Sequence, residues 1–163
     1  MLTWKQAAHQ RRERNRYSRT HQSVDGNDTY VDQVGVLGEL LFAQAMGLTE
    51  AEIRTKGPTA YNFRLPDGTR VDVRASGRPN SRYLAVPPRI VQRESCDVFA
   101  FVNVDLETEE IRFGGWAEWQ EVADAPVRRF RADAPMQHAI PVERLRPLAE
   151  LRDRCTPKTL RLF

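Results

Sequence analysis

YNFRLPDGTRVDVRAS, Tyr61 to Ser76, alternates apolar and polar side chains on both sides of a turn. Phe63 and Leu65 are interleaved with Asn62 and Arg64, and Val71, Val73 and Ala75 with Asp72, Arg74 and Ser76. Alternation at period 2 marks strands with one apolar and one polar face. Between them, Pro66-Asp67-Gly68 suits a three-residue hairpin loop. Proline sets its own φ, aspartate tolerates the turn, and glycine takes the positive-φ position. Centring the loop on Asp67 places Asn62 opposite Asp72, so the two are expected to project together from the polar face, with Arg74 next along. Asp67 cannot join them. It lies at the apex, about 16 Å of extended strand from Asp72, and the odd offset turns the two side chains to opposite faces.

Upstream of the hairpin, Val31, Val34, Leu37, Leu40, Leu41, Phe42, Ala45 and Met46 define a helix that is apolar on most sides and therefore central. Asn27-Asp28-Thr29 offer caps and Gly47 a stop. Glu39 interrupts this helix, and Gly35 and Gly38 are expected to let it lie close to a sheet. Downstream, Arg82–Val86 reads as a short strand broken by Pro87-Pro88. Asp97–Val104 (DVFAFVNV) is nearly continuous in apolar residues, the pattern of a central strand. Ile111–Trp116 follows as a strand across the Glu107–Glu110 turn, Ala117–Val122 as a short helix, Val127–Phe130 as extended chain and Leu148–Arg154 as a last helix. Pro141 and Pro147 confine any helix between them to about one turn. This order predicts an α+β fold, in a three-layer arrangement with a mixed sheet.

The 163 residues are expected to form a single domain with a real hydrophobic core, without disulfides or metal as staples. No apolar run approaches the ~20 residues of a membrane span, and the opening MLTWKQAAHQRR does not read as a secretory signal; a cytoplasmic setting is expected. Cys96 and Cys155 have no metal-ligand spacing and are expected to be reduced and structural. The three histidines are scattered and mark no zinc site. Residues 1–28 carry Lys5, Arg11, Arg12, Arg14, Arg16 and Arg19 against Glu13, Asp25 and Asp28, and so hold the whole of the chain's net charge of +3. A basic helix over residues 4–19 points to nucleic acid, although a solvated helix face has the same composition. Arg128, Arg129 and Arg131 form a second basic cluster, either contacting phosphates or lying on a solvated edge strand. Arginine outnumbers lysine by 22 to 3. Its planar fork suits phosphate, but a GC-rich coding bias gives the same excess. Trp4, Trp116 and Trp119 are read as packing residues rather than stacking platforms.

An apolar helix bearing Glu39, a hairpin joining positions 62 and 72, and a basic residue at 74 together resemble the PD-(D/E)xK nuclease superfamily. The resemblance runs from about Val34 to Leu148. It includes G-x-x-G-E-L-x-F at Gly35–Phe42, the strand Asp97–Val104, and Gly-Trp before a short helix at Gly115–Val122. It implies a restriction-endonuclease-like αβββαβ core, with a mixed central sheet flanked by helices, as in small phage-type members. It also implies a site where Mg²⁺ or Mn²⁺ is held by carboxylates and a strand carbonyl. Carried over by position, Glu39 is the helix acid, Asp72 the strand acid, Val73 the carbonyl donor and Arg74 the residue at the lysine position. Asn62 stands where the family has aspartate.

Two of these positions depart from the pattern. Asn62 offers a neutral oxygen to a hard cation that prefers carboxylates. Arg74 cannot be deprotonated and can only orient groups or stabilise charge; Lys56 is a remote candidate for a displaced lysine. The resemblance therefore implies a DNA-binding protein with weak or lost hydrolysis, in which Arg74 pairs with Glu39 or Asp72 and plugs the metal cavity. Two alternatives stand beside it. One is an active Mg²⁺-dependent endonuclease using Glu39 and Asp72; the other is a phage-type effector that binds a protein partner. A homodimer also stays open. Without the resemblance, Asp72 and Arg74 read as an ordinary exposed pair and Glu39 as a helix acid paired with Arg64 or Arg74.

Overall fold

The computed structural model describes residues 28–48, 61–78, 80–108 and 110–156. The first helix, α1 (Asp28–Met46), ends at Gly47 in a Schellman motif. The Gly47 N–H donates to the Gln44 carbonyl (3.1 Å) and the Leu48 N–H to the Ala43 carbonyl (2.9 Å), and Leu48 folds back onto the core. The hairpin β1 (Phe63–Arg64) and β2 (Arg70–Ser76) has the register expected from its loop, Phe63 facing Val71 and Arg64 facing Arg70. Gly68 has φ +91° and its N–H donates to the Leu65 carbonyl at 2.8 Å. The Asp67 carboxylate accepts from the Thr69 N–H and hydroxyl, each at 2.9 Å. The loop aspartate is thus spent on its own turn.

β2 pairs in parallel with β4 (Val98–Val104), and β4 pairs antiparallel with β5 (Ile111–Glu118), giving a mixed four-stranded sheet of order β1-β2-β4-β5. Every residue of β4 is buried, as its continuous apolar pattern requires. The parallel register is clamped at its start by Arg70 and Asp97. The Arg70 side chain donates to the Asp97 carboxylate through Nη2 (2.7 Å) and Nε (3.1 Å), and the Arg70 backbone N–H adds a third bond of 2.7 Å. The Asp97 N–H returns one to the Arg70 carbonyl at 2.9 Å.

A second sheet is present. β3 (Tyr83–Val86), β7 (Gln137–Pro141) and β6 (Val127–Arg128) pair antiparallel in the order β3-β7-β6. Pro88 does more than stop β3. It opens a one-turn helix, α2 (Pro88–Val91), where a missing N–H costs nothing. α3 (Trp119–Ala123) follows β5, a 3₁₀ turn (Val142–Arg144) lies between Pro141 and Pro147 as their spacing allows, and α4 (Leu148–Cys155) comes last. The protein is therefore α+β, a mixed four-stranded sheet and a three-stranded antiparallel sheet with packed helices. The elements from α1 to β4 follow one another as αβββαβ. The single central sheet flanked by helices does not form, however, because β3 leaves it to pair with β7. None of the described helices is long and apolar enough to cross a membrane.

Each face of the four-stranded sheet has its own core. Val71, Val73, Val98, Ala100, Val102 and Val104 pack under α1 with Phe42 and Ala43. Phe99, Phe101 and Ala117 turn the other way, onto Leu84 and Val86 of β3, Ile140 of β7 and Val122 of α3. At the first interface, α1 rests on β2 through Gly38. A methyl group there would lie 2.5 Å from the Ala75 Cβ, whose strand backbone cannot yield. This is the close approach expected of Gly38.

Gly38→Ala is expected to lower stability by about 1–2 kcal/mol in urea denaturation, overpacking outweighing the gain in helix propensity, and Ala75→Gly in the same chain should restore much of the loss. The Arg70 guanidinium holds the Asp97 carboxyl below its ordinary pKa, and the Arg146 guanidinium does the same for Glu121. A depressed folded pKa contributes stability above the ordinary carboxylate value of about 4, lost as pH falls through the folded value. The urea midpoint should therefore drop on acidification below about pH 4, and drop less steeply in Asp97→Asn.

Candidate functional site

Of the residues expected to form a site, Asp72 and Arg74 lie on β2. Strand alternation and pairing fix which way each residue points. Val71, Val73 and Ala75 face α1. Asp72 and Arg74 face the second sheet, beside their β4 partners Phe99 and Phe101. Asp72 is buried, its side chain 11% exposed, and Arg74 is half-buried; Arg74 Nη1 lies 3.8 Å from Asp72 Oδ2. The Arg74 guanidinium thus stands beside the Asp72 carboxylate. Next to them the Cys96 thiol is pushed up to about 12, first by burial and then by the negative charge of Asp72. Cys155, in the α1-side core, is pushed up to about 11, chiefly by burial. Both are free thiols, buried and without nucleophilic character at neutral pH.

Asn62 has the expected position but a different side-chain direction. It does lie across from Asp72 by register, and its N–H donates to the Val71 carbonyl at 2.8 Å. Its side chain does not stand out beside Asp72. The Asn62 Oδ1 accepts the Val73 N–H at 2.6 Å, in the place where another strand residue would offer a carbonyl. Asn62 therefore ends the β1–β2 ladder with its side chain along the edge of β2. Because N–H and C=O of one strand residue point to the same side, the Val73 carbonyl also looks toward this edge.

Glu39 is half-buried and belongs to α1, on the opposite face of the same strand. A magnesium site needs near-octahedral oxygen donors, usually one or two carboxylates with waters and substrate phosphate. Here one carboxylate stands beside a guanidinium, the neighbouring amide oxygen is already accepting a strong hydrogen bond, and the second acid rises from the other layer. This donor set fits a divalent cation poorly. Among the described residues, no group of three His, Cys, Asp or Glu side chains comes together to hold a metal.

Of the candidate nucleic-acid contacts, Lys5, Arg11, Arg12, Arg14, Arg16 and Arg19 lie outside the described residues, as does Lys56. Arg128, Arg129 and Arg131 are placed at β6, the edge of the three-stranded sheet, and just after it. The Arg128 guanidinium lies over the Tyr83 ring at 4.7 Å and near the Phe130 ring at 5.9 Å. Arg129 Nη1 donates to the Ala132 carbonyl (2.8 Å), and Arg131 Nε is 3.6 Å from Asp133. The aromatic neighbours of Arg128 were not foreseen from the sequence. The alternation of Tyr-Leu-Ala-Val at residues 83–86 was the signal that turns Tyr83 outward. Trp116 is buried, its indole N–H donating to the Pro147 carbonyl (3.1 Å), and the Trp119 indole donates to the Val91 carbonyl (3.0 Å). Both are packing residues.

No protein-family model matches the sequence, and no curated protein shows significant similarity to it.

Asn62→Ala leaves the Val73 N–H without its acceptor and should cost about 1–2 kcal/mol in chemical denaturation. Asn62→Asp keeps an acceptor and should be close to neutral at pH 7.

Proposed function

We propose that this protein binds nucleic acid, with DNA the expected partner, on a scaffold similar to that of PD-(D/E)xK nucleases, and that metal-dependent phosphodiester hydrolysis at Glu39, Asn62, Asp72 and Arg74 is weak or lost. The observation that carries this reading is the pairing of Arg74 with Asp72 across 3.8 Å. At the position where the resemblance implies a lysine able to exchange a proton, a permanently charged guanidinium stands against the acid that would hold the metal. The engagement of Asn62 Oδ1 by the Val73 N–H supports the same conclusion. Exposed arginines at 128 and 129, with the basic segment of residues 1–28, supply charge for phosphate contacts.

The test is a cleavage assay with Mg²⁺ or Mn²⁺ on labelled linear, nicked and branched DNA, run beside a binding titration at several salt concentrations. The expected result is binding that weakens steeply with salt and no cleavage product. Asn62→Asp combined with Arg74→Lys should gain metal-dependent cutting if the rest of the site is intact. Cleavage by the unaltered protein that Asp72→Ala abolishes would establish an active nuclease instead. Absence of any nucleic-acid binding would leave a protein partner as the ligand.

A further inference from the structure

The three-stranded sheet has an inner face spent on the core and an outer face that is not. Leu84 and Val86 point inward and are fully buried, so Tyr83 and Ala85 point outward. Their partners on β7 are Pro141 and Ala139, and Arg128 pairs with Gln137 on the same side. Arg128 reaches from the edge strand across this face to lie over Tyr83 at 4.7 Å, and the Phe130 ring meets Tyr83 at 5.4 Å between centroids. Phe130 is among the large apolar residues left exposed, at 38%. Among the described residues, neither Arg128 nor Arg129 has a carboxylate within ion-pair distance. A guanidinium over one ring, with a second ring tilted 55° to it, leaves the Phe130 ring and the cation open to a ligand, with unneutralised positive charge beside them.

We infer that this outer face, at Tyr83, Arg128 and Phe130, receives an unpaired base of single-stranded nucleic acid, with Arg129 set against the flanking phosphate. The inference rests on the reading of the protein as a nucleic-acid binder and narrows it. Bases stack on aromatic rings and on guanidinium planes, and every base has a π face. The bases of a duplex are stacked on one another and do not offer those faces, so this surface selects unpaired strands. An acidic peptide would answer the arginines but leave the exposed ring of Phe130 without a role.

The experiment uses the full chain with a fluorescein-labelled oligothymidylate and a labelled duplex of equal length, read by fluorescence anisotropy at low salt. Phe130→Ala and Arg128→Lys are compared with the parent, and circular dichroism melts check that each is folded. Arg128→Lys keeps the charge and removes the planar layer, and both side chains are exposed. The expected result is a loss of at least about fivefold in affinity for the single strand in each variant, with duplex affinity unchanged in Phe130→Ala and lowered less than single-strand affinity in Arg128→Lys. Equal losses on both ligands, or no loss on either, would overturn the stacking site. Binding of the duplex but not of oligothymidylate by the parent protein would overturn it while leaving nucleic-acid binding in place. Binding of neither ligand would remove both readings.

Discussion

Successive side chains of a β-strand point to opposite faces, and in β2 that constraint divides the molecule. Val71, Val73 and Ala75 are committed to α1, and Asp72 and Arg74 are thereby committed to the other layer. No adjustment of rotamers can exchange the two sets, because a shift of one residue would carry both charges under the helix and the valines to the opposite face. The parallel pairing with β4, clamped by Arg70 and Asp97, holds that choice in place. The hairpin loop sets where Asn62 falls, and so which backbone N–H its oxygen meets.

From this follows the character of the candidate site. A carboxylate on a face otherwise lined by Phe99 and Phe101 needs a partner, since burial of an unpaired charge is costly. Arg74, two residues along the same face, stands 3.8 Å away. The pair is compatible with a stable strand and poorly suited to metal chemistry. The residues that suit a metal poorly are the ones that make this region self-consistent as structure. Asn62 does in the ladder what a backbone carbonyl would do, and Arg74 neutralises Asp72.

Much of the fold was legible because local rules and tertiary packing agree. Gly47 was readable as the stop of α1, and the Schellman bonds there are what a glycine after an apolar helix provides. The hairpin register followed from Pro66-Asp67-Gly68 alone. β4 was readable as central from its unbroken apolar run. β7 was not, because Gln137-His-Ala-Ile-Pro141 is short, ends in proline and has little β-propensity; it becomes a strand by lying between β3 and β6. The prolines at 87 and 88 were readable as the end of a strand but not as the start of α2, since both outcomes use the same fixed φ.

The sequence by itself determined α1, the β1–β2 hairpin, β4, the hairpin register, and therefore the pairing of positions 62 and 72, because turn chemistry and hydrophobic periodicity act over a few residues. Only the tertiary structure decided that β3 joins a second sheet, that α1 covers the face away from Asp72, and that Arg128 lies on Tyr83. Those outcomes depend on contacts between residues far apart in the chain, where the decisive quantity is which apolar face finds a complementary surface. No local pattern carries that information. The same limit applies to Asn62: its position was legible, but the hydrogen bond that turns its oxygen to the Val73 N–H exists only once the two strands are side by side.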